Sequence, residues 1–140
     1  MDAQPPPVVT QEIQIVDAQG RPRMLLSAKS GEPVIELLRR NGQPSLAMTL
    51  DPAGRPSIKF SNPDPAAPTA ALEIDDKGAH VKFDRPGGAS SYLFLNNLGG
   101  SGVVILDTKG TRRLDILTAP DGSTSIERFG SDGKLLEAVK

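Results

Sequence analysis

Glycine recurs along this chain at positions 20, 31, 42, 54, 78, 88, 99, 110, 122 and 133, giving steps of 11, 11, 12, 24, 10, 11, 11, 12 and 11 residues. The single step of 24 is two periods with one glycine missing. At its centre lies the loop-forming run Asn62-Pro63-Asp64-Pro65-Ala66-Ala67-Pro68, so the period survives there without its residue. A period this short leaves about six or seven residues between turns, well below the roughly 11 or 12 of an average globular helix. Strands joined by tight turns are what such spacing allows.

The flanks of the glycines support that reading. Asp17-Ala18-Gln19-Gly20-Arg21, Asn41-Gly42, Asp51-Pro52-Ala53-Gly54-Arg55, Asp107-Thr108-Lys109-Gly110, Asp121-Gly122 and Asp132-Gly133 all pair an Asp or Asn with the glycine; Gly31 follows Ser30, and Gly78 follows Asp75-Asp76-Lys77. An Asp or Asn side chain bonds to the backbone two residues on, and glycine supplies the positive φ that a hairpin bulge needs. Between the turns the pattern has period two: Leu46, Met48 and Leu50 alternate with Ala47 and Thr49, and Leu114 and Ile116 flank Asp115. Alternation of this kind means strands with one buried face.

Four segments are apolar on both sides: Met24-Leu25-Leu26, Val34-Ile35-Glu36-Leu37-Leu38, Tyr92-Leu93-Phe94-Leu95 and Val103-Val104-Ile105-Leu106. A strand apolar on both sides calls for cover on both, from a second layer or another subunit. Val34, Ile35, Leu37, Val103 and Ile105 are therefore the candidate interface. The two segments that also admit a short helix are Val34 to Arg40 and Lys134 to Lys140. The expected fold is all-β, an antiparallel meander of about ten strands with an 11–12-residue period. It closes as a rolled sheet or barrel, with a solenoid of hairpins as the alternative.

At 140 residues the chain is one domain: residues 1–10, with Pro5, Pro6 and Pro7, form a disordered proline-rich lead, and residues 11–140 form the β domain. Sixteen basic against seventeen acidic side chains leave a net charge of −1. That balance disfavours a nucleic-acid surface, which needs a dense basic stripe. The paired basics Arg39-Arg40 and Arg112-Arg113 read as edge charges that discourage unwanted strand pairing. No stretch approaches the roughly 18 apolar residues of a membrane-spanning helix, and no direct membrane insertion is expected. The proline-rich start suits a chain whose export signal or anchor has been removed, which favours a periplasmic or cell-surface location.

The recurrent Asp-x-x-Gly-Arg/Lys turn, clearest at Asp17 to Arg21, Asp51 to Arg55 and Asp107 to Gly110, resembles the hairpin repeats of bacterial surface and secreted proteins, including the YD/Rhs class. It is also similar to repeats that follow an N-terminal membrane anchor in other bacterial proteins. The likeness covers roughly residues 11–134, and Tyr92, the one tyrosine, does not precede a turn aspartate. It implies an extracytoplasmic structural or binding role and carries no catalytic residues.

Catalytic material is sparse, with no cysteine and a single histidine, His80. A hydrolase would have to combine His80 with Asp75, Asp76 or Asp84 and a serine, and no nucleophile-elbow sequence supports one. Neither the EF-hand loop nor a calcium-binding nonapeptide occurs, so no metal or cofactor is expected. Gly99-Gly100-Ser101-Gly102 lacks the lysine and helix of a phosphate loop. The expected function is a non-enzymatic structural or protein-interaction module that associates with itself or with a protein partner. The alternatives are a small-ligand-binding barrel and, more distantly, a hydrolase at His80.

Overall fold

The computed structural model describes residues 5–139. Residues 1–4 of the proline-rich lead, and Lys140, lie outside the described residues; residues 5–10 are exposed and without regular structure. Twelve strands follow in order: β1 Glu12–Val16, β2 Pro22–Ser27, β3 Val34–Leu38, β4 Pro44–Leu50, β5 Pro56–Phe60, β6 Thr69–Ile74, β7 Gly78–Asp84, β8 Ser90–Asn96, β9 Ser101–Leu106, β10 Arg112–Thr118, β11 Thr124–Phe129 and β12 Leu135–Val139. Each pairs antiparallel with the next, in one sheet of order β1 to β12. The fold is the expected all-β meander, with two corrections. The strands number twelve rather than about ten, and the two segments that admitted helix are β3 and β12. Alternation decides at β3, where Val34, Glu36 and Leu38 turn to one face and Ile35 and Leu37 to the other.

The turns explain the period. Eight hairpins share one geometry, in which the first loop residue's N–H donates to the carbonyl four residues on and the glycine N–H donates back three residues. Asp17, Arg39, Asp51, Arg85, Asn96, Asp107, Ala119 and Gly130 open these eight turns. Their glycines lie at positive φ, among them Gly20 at +76°, Gly54 at +78° and Gly110 at +77°. This is the three-residue hairpin loop, a type I turn followed by a left-handed glycine. Where the opening residue is Asp17, Asp51, Asn96 or Asp107, its side-chain Oδ1 accepts from the N–H groups two and four residues on.

Contacts between strands run only between sequential neighbours, so the described residues form one layer, and β1 and β12 do not pair. The sheet is therefore open, with two free edges and no barrel interior. Its accessible surface is 9943 Å² for 14.8 kDa, against roughly 7,000 Å² for a compact monomer of that mass. Among the described residues the fully buried side chains are Val104, 2% exposed, and Asp115, 1% exposed; Gly78, Gly100 and Gly130 are buried as well.

Alternate turns lie along one rim of the sheet, and arginines tie them together. Arg23 Nε donates to Leu38 O at 3.0 Å, Arg39 Nη2 to Ser61 O at 2.7 Å, Arg85 Nε to Ala66 O at 3.2 Å and Arg113 Nε to Phe129 O at 3.0 Å. Arg39 and Arg113 thus bond inside the sheet, each to the carbonyl of a neighbouring segment, instead of guarding an edge strand. In the same rim Gly88 and Gly110 approach so closely that a Cβ on Gly88 would stand 2.5 Å from the Gly110 nitrogen.

Candidate interaction face

The strand registers place side chains in rows that cross the whole sheet. One row runs Ile13, Leu26, Ile35, Met48, Ile58, Leu72, Val81, Leu93, Val103, Ile116, Ile126 and Val139, each facing the next across a strand pair. Every strand contributes one residue, and all are apolar. Beside it a second row passes through Ile15, Met24, Leu37, Leu46, Phe60, Ala70, Phe83, Ser91, Ile105 and Leu114, with Ser91 the one polar member as far as β10, and it continues as the ion pair Arg128 on β11 and Glu137 on β12. From β2 to β10 neither row holds an ionisable side chain.

This apolar face is the more exposed of the two. Ten of the twelve residues in the first row are 37–57% exposed, so the face has no cover from its own chain. The peak lies on β8, at Leu93 with 57% and Leu95 with 56%. The opposite face alternates with it and is half-buried throughout β2 to β4 and β7 to β11. It carries polar and apolar groups together, including Glu36, Thr49, Glu73, Lys82, Val104 and Asp115. Over β7 to β10 it hollows into an open groove of about 900 Å³ floored by Tyr92, Phe94, Val104 and Leu117. Tyr92 and Phe94 lie with ring centroids 6.0 Å apart.

Of the candidate interface residues, Ile35, Leu37, Val103 and Ile105 share the exposed apolar face. Val34 lies on the other face, opposite Ser27 and Thr49. The two-sided apolar segments are therefore not sandwiched between layers of this chain: one of their sides is half-buried and the other is bare. Met48, Phe60 and Phe83 also stand on the bare face, at 40%, 48% and 52% exposed, and fill no barrel interior.

His80 sits at the groove, with its Nε2 3.2 Å from Glu73 Oε2 and its Nδ1 3.9 Å from Asp75 Oδ2. Among the described residues its only side-chain hydrogen bond is to Glu73, and no hydroxyl is joined to it. Lys82 is held by Asp84 at 2.8 Å, and Lys59 by Glu73 at 3.1 Å. Among the described residues no three His, Asp or Glu side chains converge as a metal ion requires.

Asp115 is the residue that sequence reasoning passes over. Its Oδ2 meets Arg112 Nη1 at 2.9 Å, while its Oδ1 is buried without a hydrogen-bond partner. Burial pushes its carboxyl above the ordinary aspartate range, Glu127 pushes the same way, and Arg112 opposes them. Nothing in Leu114-Asp115-Ile116 distinguishes it from the solvated charges of other strands; in the sheet it faces Val104 on β9 and Glu127 on β11. The turn aspartates move the other way. At Asp51 the Arg55 backbone N–H and side chain, and at Asp107 the Lys109 backbone N–H, hold the carboxyls below the ordinary range.

No protein-family model matches the chain, and no curated protein matches it in sequence.

Proposed function

We propose that this protein is a non-enzymatic structural or protein-interaction module, extracytoplasmic or membrane-tethered in its parent form, that works by presenting one face of its sheet. The carrying observation is the apolar row with one residue from every strand, standing exposed. Contiguous apolar patches beyond a few hundred Å² on a monomer mark association sites. The Asp-x-x-Gly turns, which resemble those of bacterial surface repeats, favour the same reading and the same compartment.

Replacing Ile35 or Ile105 by lysine tests it. The parent should either self-associate in light scattering or bind an apolar fluorescent dye. Both variants should lose that property while keeping a β-type circular dichroism spectrum. A strictly monomeric parent that binds no apolar probe defeats the reading.

The groove favours a second reading, a small amphiphilic ligand lying on Tyr92, Phe94 and Leu117. It ranks second because Lys82 and Arg112 at the groove are ion-paired, and its remaining cation, Lys77, stands exposed on the turn between β6 and β7.

A further inference from the structure

We infer that the occupant of the apolar face is a second copy of this chain, laid face to face on it to make a two-layered sandwich. The inference rests on the reading of that face as an association surface and specifies its partner. Three observations favour a copy over any other occupant.

The first is area. Twelve strands spaced about 4.8 Å apart make a face roughly 53 Å wide; one apolar row about 7 Å deep crosses all of it and the second crosses β1 to β10, roughly 43 Å, before Arg128 and Glu137, so the strip covers roughly 670 Å². A standard stable interface takes about 800 Å² from each partner, while the largest apolar patch on an ordinary monomer is about 300–600 Å². The strip thus exceeds what an ordinary monomer leaves bare and approaches what one dimer needs.

The second is chemistry. The strip holds no ionisable side chain through nine consecutive strands, so its partner must offer an equally long surface free of charge and of unpaired backbone groups. A sheet face satisfies its backbone internally, and the same strip on another copy has the same width and the same lack of charge. Two such faces pack about 10 Å apart, with side chains interdigitating at an angle set by sheet twist.

The third excludes the competing apolar occupant. Strands of five to seven residues fall short of the roughly 9–11 that cross a bilayer, and the sheet is not closed as a spanning sheet must be. The one cation in these rows, Arg128, is held by Glu137 at 3.0 Å, so the strip has no run of free cationic anchors to hold it against an anionic lipid surface.

The sequence has no cysteine, which permits a clean test by single thiols. Leu93→Cys places one on the most protruding strand of the apolar face, and Lys59→Cys places one on the opposite face of β5. The full chain is first weighed by light scattering, where the inference expects about twice the 14.8 kDa of one chain. The rate of thiol labelling is then followed across a dilution series. Leu93→Cys should label at least tenfold more slowly at high concentration than after dilution, and Lys59→Cys should label at one rate throughout.

A third variant, Val81→Lys, should be a folded monomer; should it fail to fold, the labelling contrast decides alone. A monomeric parent whose Leu93→Cys thiol labels freely overturns the second copy. If that monomer also co-sediments with neutral phosphatidylcholine vesicles, the association surface stands with a lipid occupant; if it binds neither vesicles nor an apolar dye, both proposals fall. A polymer in which Leu93→Cys remains reactive points to growth through the free edges of β1 and β12, and likewise overturns face-to-face pairing.

Discussion

Alanine substitutions at three turn glycines separate two sources of stability in the hairpin turns. Gly54 lies at φ +78° with nothing within 4 Å of where a methyl would project, so Gly54→Ala incurs the left-handed backbone term alone, about 1 kcal/mol. Gly110, at φ +77°, would bring its methyl no nearer than 3.8 Å to Gly88, an ordinary contact, so Gly110→Ala should cost the same. Gly88 differs: at φ +120° its methyl would lie 2.5 Å from the Gly110 nitrogen and 2.9 Å from its Cα, so two turns must part. Adding that overpacking to the backbone term gives on the order of 3 kcal/mol. With an unfolding entropy of about 2.1 cal/mol/K per residue, 1 kcal/mol shifts Tm by about 3–4 °C in a chain of this length. Thermal melts followed at the β band should therefore show Gly54→Ala and Gly110→Ala about 3–4 °C below the parent, and Gly88→Ala about 10 °C below it. Equal losses at Gly88 and Gly110 would show that the two turns do not touch. No loss at any of the three would refute the hairpin geometry itself.

Acid should weaken the fold through the turn aspartates. A carboxyl whose folded pKa is depressed contributes stability above its unfolded value near 3.8, and that contribution is lost as pH falls through the lower folded value. Asp51→Asn and Asp107→Asn keep an Oδ1 acceptor, as Asn41 and Asn96 do, so denaturant titrations at pH 7 and pH 3 should show a smaller drop in the variants than in the parent. Asp115 carries the opposite sign. Its raised folded pKa makes ionisation costly above the unfolded value, and its partner Arg112 is half-exposed, so Asp115→Asn should leave stability at pH 7 equal or higher. A marked loss at pH 7 would mean that the ion pair outweighs desolvation. Arg39→Met, which keeps the aliphatic stem but removes the bonds to Ser45 and Ser61, should cost about 1–2 kcal/mol by urea unfolding. A neutral result would assign the arginine straps no stabilising part.

The hairpin period is legible in the sequence because its cause is local: a left-handed turn position demands glycine, and the preceding Asp or Asn closes the turn within five residues. The apolar face is legible for the same reason, since alternation fixes which side chains share a side; Ile35, Leu37, Val103 and Ile105 group together on that pattern alone. Val34 lies on the other face, because an apolar run marks both faces without saying which is bare. At Lys134 to Lys140 the alternation thins to Leu135-Leu136, and a short helix competes with what is strand β12. The arginine straps and Asp115 are illegible in principle. Arg39 finds Ser61 only because two turns 22 residues apart fall on one rim, and Asp115 is buried among neighbours from other strands, which no single strand encodes.

Nearest-neighbour connectivity also governs how the molecule responds to force. The chain enters at β1 and leaves at β12, the two outermost strands, so tension between its ends acts across the strands and loads their hydrogen bonds a few at a time. Such a sheet peels from its margins. Each strand released adds one repeat of 11–12 residues, roughly 4 nm of extended chain, while the strands behind it keep their own neighbours and stay folded. Extension then proceeds as a staircase of small, reversible yields rather than as one rupture, so the meander gives length gradually under load and recovers it strand by strand when the load is removed.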